Sequence, residues 1–156
     1  MAKGEPQGVK VLARNKKARH DYHILETYEA GMALTGPEVK SVREGKIQLK
    51  ESYVEVRDGQ AWLVGAHISP YSHGNRANPD PERPRKLLLH RREVDKLMGR
   101  SIIKGQTIVP LAVYLKGSWI KIEIALAQGK KLYDKRRAAK EKVVRRETEE
   151  ALKRFS

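Results

Sequence analysis

Apolar and polar residues alternate along several short segments of this sequence, which is the pattern of β-strands that bury one face. The alternation is clearest in two neighbouring segments linked around Gly117. Their alternating apolar residues are Val109, Leu111, Val113 and Leu115 in the first segment and Ile120, Ile122, Ile124 and Leu126 in the second. Shorter strands are predicted over residues 9–13, 22–34, 53–56, 61–68 and 86–89. The chain is therefore predicted to be mainly β.

Two local signals place a helix and a turn within this pattern. Thr35 is a predicted helix N-cap, and Glu38 follows it at the spacing of a capping box. Gly45 is expected to end that helix. The dipeptide Asp58-Gly59 favours the positive φ angles of a tight hairpin turn, so the strands on either side of it are predicted to pair.

A proline-rich loop and a second short helix complete the predicted elements. Residues 70–85 contain four prolines and no periodicity, which is typical of an exposed loop with a functional role or mobility. The helix that follows has Val94, Leu97 and Met98 on one side and Gly99 as its predicted end. At least six antiparallel strands and two short helices favour a small closed or nearly closed barrel, because closure removes exposed sheet edges.

The chain divides into a barrel and two flanking segments. Residues 1–8 contain two glycines and a proline and are expected to form a flexible arm, and residues 9–128 the barrel domain. Residues 129–156 hold eleven basic and five acidic side chains, with only a thin apolar stripe. We expect this tail to be disordered alone and helical once a polyanion screens its cations. A solvated, charged terminal helix is the alternative.

The charge of the chain indicates a polyanionic partner. The formal net charge is +14, from 33 Lys and Arg against 19 Asp and Glu. Self-repulsion of that size destabilises a compact protein unless a polyanion neutralises it, so nucleic acid is the first candidate. An anionic membrane is the second, but no strong apolar face lies opposite the cations. The absence of cysteine and the polar N-terminal residues fit a cytoplasmic protein with no membrane partner.

The five histidines do not indicate a metal or catalytic site. His20 and His23 are three residues apart, which on a strand places their side chains on opposite faces. His20 and Asp21 are expected to point apart as strand neighbours, and no nucleophile motif accompanies them. The sequence predicts no metal, no cofactor and no enzymatic activity. An RNA-processing enzyme that uses His20 with Asp21 is the enzymatic alternative.

Four colinear motifs carry a family resemblance. They are ARNKKARHDYHILETYEAGMALTGPEVKSVREGK at 13–46, HISPYSHGN at 67–75, DPERPRKLLLHRRE at 80–93 and ALAQGKKLYDKR at 125–136. Together they resemble the small protein B family, the SsrA-binding proteins. The resemblance implies a β-barrel related to the oligonucleotide-binding fold that binds the tRNA-like domain of tmRNA in bacterial trans-translation. It also implies a tail that occupies the decoding centre and messenger channel of a stalled ribosome.

The resemblance assigns a first set of RNA contacts to the barrel. The residues that match the family's tmRNA-contact positions are Asn15, Lys17, His20, Glu29, Leu88 and Lys121. Two alternatives stay open: Leu88 could be a core residue, and Glu29 could support Arg19 or Lys17. A carboxylate at an RNA surface has to accept hydrogen bonds from base amino groups or ribose hydroxyls, so Glu29 would be a recognition residue.

The resemblance assigns a second set of contacts, with small-subunit RNA at the decoding centre, to the start of the tail. These residues are Lys130, Lys131, Tyr133, Asp134, Lys135 and Arg136. Tyr133 among these cations suits stacking on an unpaired base, or packing on the rim of the barrel. Gln128 and Val143-Val144 depart from the family, which commonly has a cation and a tryptophan there. We expect a monomeric, non-enzymatic RNA-binding adaptor; a general ribosomal or structured-RNA-binding barrel is the alternative.

Overall fold

The computed structural model describes residues 9–72 and 78–130 of the chain. These residues form nine strands: β1 Val9–Arg14, β2 Tyr22–Met32, β3 Ile47–Gln48, β4 Tyr53–Arg57, β5 Gln60–Val64, β6 His67–Ile68, β7 Arg85–Leu88, β8 Gln106–Lys116 and β9 Trp119–Gly129. They also form three helices: α1 Lys16–Asp21, α2 Gly36–Arg43 and α3 Arg91–Ser101. None of these three helices is long and apolar enough to span a membrane.

Seven of the strands form one sheet, in the order β1-β8-β4-β5-β7-β2-β9. An additional pairing between β8 and β9 closes six of them into a barrel, and β1 lies beside β8. β3 and β6 form a separate two-stranded sheet. The pairings described are all antiparallel. The prediction of a mainly β antiparallel barrel with short helices is confirmed.

The barrel encloses one main hydrophobic core, and a smaller cluster lies outside it. Leu63 and Ile124 are fully buried in the main core, where they meet Val42 of α2 and Leu97 of α3. The smaller cluster consists of Ala18, Val109, Leu111, Ala125 and Ala127. Since Ala18 belongs to α1, this helix covers part of the outer surface of β8 and β9. These two strands are therefore buried on both faces over part of their length.

The two local signals in the sequence form as predicted. The Glu38 backbone N–H donates to Thr35 Oγ1 at 3.4 Å, and the Thr35 N–H donates to Glu38 Oε1 at 3.0 Å. This reciprocal capping box begins α2, and Gly45, at φ 77°, follows its end. Asp58 and Gly59 have φ angles of 53° and 73°, so they form the tight turn that joins β4 to β5.

The predicted end of α3 at Gly99 is wrong, because the helix continues to Ser101. Glycine lowers helix stability but can adopt the helical conformation. Burial of Val94 and Leu97 on the inner side of α3 stabilises the helix through this position. Gly99 is therefore accommodated inside α3 and does not end it.

The predicted strand over residues 61–68 is interrupted after Val64. Gly65 has φ 84°, and a Cβ atom there would lie 3.1 Å from the carbonyl oxygen of Glu51. This positive φ turns the chain, and His67–Ile68 then pairs with β3 instead of continuing β5. The change of direction at a single glycine was not visible in the alternating pattern.

A bulge in β8 separates apolar residues that were predicted to share one face. The register of β8 against β9 shifts between Pro110 and Ala112. An inserted residue in one strand moves the following side chains to the opposite face. Val109 and Leu111 therefore pack in the smaller cluster, while Val113 packs in the main core.

Helix α1 was not predicted. Its last two residues, His20 and Asp21, therefore have a helical backbone where a strand was expected. The expectation that His20 and Asp21 point apart as strand neighbours is wrong. Both lie at the C-terminal end of α1, and His20 Nδ1 is 3.1 Å from Asp21 Oδ1. The side chains approach because the backbone there is helical.

Candidate nucleic-acid interface

The outward side of β2, β8 and β9 brings together three residues of the first predicted RNA-contact set. Lys121 is paired with Gly31 of β2 and with Tyr114 of β8, and Leu88 of β7 is also paired with Gly31. Glu29 precedes Gly31 by two residues and therefore lies on the same face of β2. We call this surface the outer face. It consists of Glu29, Leu88, Tyr114, Lys116, Trp119, Lys121 and Glu123, the last of which is paired with Glu29.

Glu29 is held in place by two neighbours on the outer face. The Tyr114 hydroxyl donates to Glu29 Oε2 at 2.5 Å, and Lys116 Nζ lies 3.4 Å from both carboxylate oxygens. The Tyr114 hydrogen bond, supported by Lys116, lowers the pKa of Glu29 although partial burial acts to raise it. Burial and the adjacent Glu29 in turn raise the pKa of Tyr114. The Glu29 side chain is 38% exposed, so an ionised carboxylate remains open to a hydrogen-bond donor from outside.

Both alternatives left open for the barrel residues are wrong. Arg19 Nη2 lies 3.3 Å from Glu123 Oε1, and Lys17 Nζ pairs with Glu51, so Glu29 supports neither cation. Leu88 is 54% exposed and is therefore not a core residue. The RNA contacts of Glu29 and Leu88 stay predictions.

Two apolar side chains of the outer face are exposed beside cations. Leu88 lies across Gly31, where a Cβ atom would be only 3.3 Å from the Leu88 Cβ. Trp119 is 72% exposed at the start of β9, directly across from Lys116. Sequence reasoning missed Trp119; the available signal was a rare aromatic residue beside a turn glycine and a lysine. Exposed rings beside cations suit stacking on a nucleic-acid base.

Asn15 is buried, and its side chain is occupied within the protein. Its amide Nδ2 donates to the carbonyl oxygens of Pro110 at 2.9 Å and Leu49 at 3.3 Å, and its Oδ1 accepts from the Ala18 N–H at 3.1 Å. Asn15 is thus the N-cap of α1 and fixes this helix to Pro110 of β8 and to Leu49, just after β3. Burial of Ala18 in the smaller cluster fixes the same helix from its inner side. Asn15 therefore controls where α1 presents its outward residues.

Helix α1 presents Lys17 and His20 to solvent. Lys17 pairs with Glu51, and this hydrogen bond raises the pKa of the lysine. The His20 side chain is 88% exposed, and its Nδ1 contacts Asp21. Within residues 9–72 and 78–130, no group of three or more His, Asp or Glu side chains has the arrangement of a metal site.

Lys130 connects the two predicted sets of RNA contacts. A shallow cavity of about 440 Å³ is lined by His20, Asp21, Tyr22, Gly129 and Lys130. His20 belongs to the predicted tmRNA contacts and Lys130 to the predicted decoding-centre contacts, and the fold brings them to one cavity. The other members of the second set, Lys131, Tyr133, Asp134, Lys135 and Arg136, lie outside the described residues.

A buried ion-pair cluster, which sequence reasoning also missed, supports the loop before β7. Arg85 is fully buried and donates through Nε and Nη2 to Glu38 Oε2, at 2.9 and 2.7 Å. Arg83 donates through Nε to the same oxygen at 3.0 Å. Arg85 also donates to the carbonyl oxygens of Ala66 and Pro81, both at 2.9 Å. Glu38 thus begins α2 and anchors the end of the proline-rich loop.

Comparisons with known proteins identify relatives of this chain in sequence and in fold. The chain is 54% identical to the SsrA-binding protein of Carboxydothermus hydrogenoformans over 144 residues, which cover 92% of this chain and 97% of the relative. It is 57% identical to that of Rubrobacter xylanophilus over 142 residues, 91% of this chain and 95% of the relative. The fold matches a solved structure described as "tmRNA-SmpB: a journey to the center of the bacterial ribosome" with a TM-score of 0.67 and 50% identity. That match covers 86% of this chain and 94% of the solved chain. Residues 12–154 match the family described as SmpB protein, and the chain therefore belongs to the SmpB family.

Proposed function

We propose that this protein binds the tRNA-like domain of tmRNA with its outer face and α1, and delivers it to stalled ribosomes in trans-translation. Family membership supports the identity of the RNA. The observation that carries the binding surface is the ionised Glu29, held by Tyr114 and Lys116 beside Lys121 and the exposed Trp119. A surface that combines a hydrogen-bond acceptor, cations, an exposed indole ring and an exposed leucine suits folded RNA better than it suits a membrane or a small metabolite.

The residues of the outer face would divide the recognition of RNA among them. Lys121, and Lys17 on α1, neutralise phosphates and position the RNA without reading its sequence. Glu29 accepts hydrogen bonds from ribose hydroxyls or base amino groups, which distinguishes a specific RNA shape from any polyanion. Leu88 and Trp119 pack against a ribose or an unstacked base. These roles require an RNA with an unusual exposed surface, as the elbow of a tRNA-like fold provides.

His20 of α1 would contact the RNA directly, whereas Asn15 would act indirectly, by holding α1 in place. The exposed imidazole of His20 can donate to a phosphate or a ribose oxygen. Asn15 has no amide hydrogen left to donate, because its contacts with Leu49 and Pro110 use both, and its oxygen already accepts from the Ala18 N–H. Its loss would displace α1, and with it Lys17 and His20.

The tail would contact the ribosome. Residues 129–156 are strongly basic, and we propose that they take a helical shape only against RNA, in the decoding centre and messenger channel. Lys130, Lys131, Lys135 and Arg136 would neutralise phosphates, Tyr133 would stack on a base, and Asp134 would accept a hydrogen bond. The protein acts as a monomeric cytoplasmic adaptor and carries out no covalent chemistry.

The division of labour between barrel and tail is tested by truncation. Because β9 runs to Gly129 and pairs with β2 to its end, the chain should be cut after Lys130, which leaves the barrel complete. The truncated protein is expected to bind the isolated tRNA-like RNA as tightly as the full chain, but not to support peptide tagging on stalled ribosomes. Equal loss of both activities would contradict the proposal.

The contact of His20 with Asp21 keeps an enzymatic alternative testable. Under the proposal, His20→Ala weakens RNA binding and no RNA is cleaved by the wild type. An RNA-cleaving activity that disappears in His20→Ala while RNA affinity stays intact would support the enzyme instead.

A further inference from the structure

Two carboxylates lie directly opposite each other on the outer face. Glu123 of β9 is paired with Glu29 of β2, so their side chains leave the barrel on the same side. We call Glu29 and Glu123 the carboxylate pair. Like charges opposite each other on neighbouring strands are unfavourable, so the pair does not serve the stability of the sheet. Its place on a surface of a chain with a net charge of +14 is explained by what that surface binds.

The protein holds each member of the carboxylate pair with a different cation. Arg19 Nη2 of α1 lies 3.3 Å from Glu123 Oε1, and Lys116 Nζ lies 3.4 Å from both oxygens of Glu29. Burial and the hydrogen bond to Glu29, together with the charges of Glu29 and Glu123, raise the pKa of Tyr114, whose hydroxyl therefore lies near both acids. The Glu123 side chain is 35% exposed. Both carboxylates are thus fixed in place and still open to solvent.

Cations lie on both sides of the carboxylate pair along β9. Lys121 comes two residues before Glu123 and therefore lies on the same face of the strand. Ala125 comes two residues after Glu123 and packs in the smaller cluster with Ala18 of α1. The helix that carries Arg19 thus borders the pair on one side, and Lys121 borders it on the other. The outer face is therefore negative at its centre and positive around it.

This charge pattern favours some parts of an RNA over others. A phosphate at the centre of the outer face is repelled by both carboxylates, because like charges brought together at an interface cost binding energy. Ribose hydroxyls and base amino groups are hydrogen-bond donors, which the same carboxylates accept. Phosphates on either side meet the cations. The pattern therefore selects an RNA that presents a sugar or base edge between flanking phosphates.

We propose that Glu123 is a specificity-determining residue, which keeps phosphates away from the centre of the outer face and, with Glu29, accepts hydrogen bonds from ribose or base groups of the tRNA-like RNA. This inference rests on the proposed function, in which the outer face binds that RNA. Specificity arises from rejecting the wrong partner as well as from fitting the right one. Glu123 acts mainly in the first way, and Arg19 beside it neutralises a phosphate at the border of the carboxylate pair.

The sharpest test is Glu123→Gln in the full-length protein, because this change removes the charge and keeps the shape. Its affinity for ordinary tRNA should rise roughly fivefold, since a phosphate is no longer repelled from the centre. The salt slope of tRNA binding should become steeper by about one unit, because Arg19 is then free to pair with one more phosphate. Its affinity for the isolated tRNA-like RNA should fall about twofold, since a neutral amide accepts a weaker hydrogen bond.

Two further variants separate this role from general charge and from folding. Glu44→Gln is the matched control, because Glu44 is an exposed glutamate that also pairs with a cation, Lys46, at 3.5 Å. It should bind both RNAs like the wild type. Arg19→Gln breaks the ion pair with Glu123 from the other side and should weaken binding of both RNAs, with a salt slope lower by about one unit. The urea midpoints of all three variants should equal that of the wild type, because exposed ion pairs contribute little to stability.

Three results would overturn the inference. Glu123→Gln could bind tRNA no more tightly than the wild type, or could tighten binding of tRNA and of the tRNA-like RNA by the same factor. Arg19→Gln could reproduce the effect of Glu123→Gln, which would mean that Glu123 acts only by holding α1. The wild type separates these failures from failure of the proposed function. If the wild type prefers the tRNA-like RNA and Glu123→Gln keeps that preference, only this inference fails, whereas a wild type without the preference contradicts the proposed function itself.

Discussion

Glu38 and Glu29 are two carboxylates of the same barrel with cationic neighbours, but one is sealed inside the protein and the other faces solvent. Glu38 is 2% exposed, and its two oxygens accept hydrogen bonds from Arg83, Arg85 and the Thr35 backbone. Glu29 accepts from Tyr114 and Lys116 and keeps 38% of its side chain exposed. The oxygens of Glu38 are fully engaged by partners within the protein. Glu29, by contrast, can still accept a hydrogen bond from a ligand.

The difference separates a carboxylate that shapes the fold from one that can recognise a ligand. Removing one partner of a buried charge pair leaves the other charge uncompensated and is strongly destabilising. An exposed carboxylate contributes little to stability, since water solvates it in the unfolded chain as well. In a chain with a net charge of +14 that binds a polyanion, an exposed acid held by two neighbours needs a reason, and recognition provides one.

The largest expected effect is on folding. Glu38→Gln should lower the free energy of unfolding by about 3 to 5 kcal/mol, because it leaves Arg85 buried without its counter-charge. Urea denaturation measures this directly. Glu44→Gln, at the exposed C-cap of α2, is the matched control and should change stability by less than about 0.5 kcal/mol. If Glu38→Gln lowered the free energy of unfolding as little as Glu44→Gln does, Glu38 would not be the structural carboxylate that its comparison with Glu29 assumes.

The same ion-pair cluster predicts how stability depends on pH. Burial acts to raise the pKa of Glu38, but the hydrogen bonds from Arg83, Thr35 and Arg85 outweigh it and lower the pKa below 4.5. A lowered pKa in the folded protein means that the stabilisation is present above pH 4.5 and is lost as the pH falls through the folded value. The stability difference between the wild type and Glu38→Gln should therefore shrink below pH 4.5. A difference that grows on acidification would contradict the assignment.

The next effect is on binding. Glu29→Gln should weaken affinity for the isolated tRNA-like RNA roughly tenfold while leaving the unfolding free energy nearly unchanged. The direction is informative, since removing a negative charge should strengthen attraction to any polyanion. Only the loss of a specific hydrogen bond to RNA explains weaker binding. Glu44→Gln again serves as the control and should bind the RNA like the wild type. Tighter RNA binding by Glu29→Gln would contradict a role of Glu29 in recognition.

The smallest effect is expected at Tyr114. Tyr114→Phe removes the hydroxyl that orients Glu29 and should weaken RNA affinity about threefold, because Lys116 still holds the carboxylate. The pKa of Glu29 should rise toward its ordinary value, which can be followed by NMR titration of the side chain. If the Glu29 pKa does not move, Tyr114 is not the neighbour that keeps this carboxylate ionised.

Local and periodic signals were enough to predict the barrel. The capping box at Thr35 and the turn at Asp58-Gly59 depend on residues close in sequence, so their geometry could be inferred directly. Helix α1 could not, because a six-residue helix has too little periodicity and is held by Asn15 through distant carbonyl groups. The bulge in β8 likewise has no signature in the alternation of apolar residues.

The sequence resemblance named candidate site residues, but contacts across the fold determine how they work. Asn15 is buried and caps α1, so it helps to position this helix, and its contact with RNA stays a prediction. The partners of Glu29 and Glu38 lie dozens of positions away along the chain, so no local pattern distinguishes these two carboxylates. Trp119 was overlooked because its exposure depends on the course of the β8–β9 hairpin.

The central claim is that the outer face recognises the tRNA-like domain of tmRNA specifically. The most direct measurement is a titration of the full-length protein with the isolated tRNA-like RNA at physiological salt, in competition with ordinary tRNA. The account predicts that tRNA competes at least about tenfold less well, because part of the binding energy comes from specific contacts and not from phosphate neutralisation alone. Competition by tRNA at equal concentration would contradict it and favour a general RNA-binding barrel.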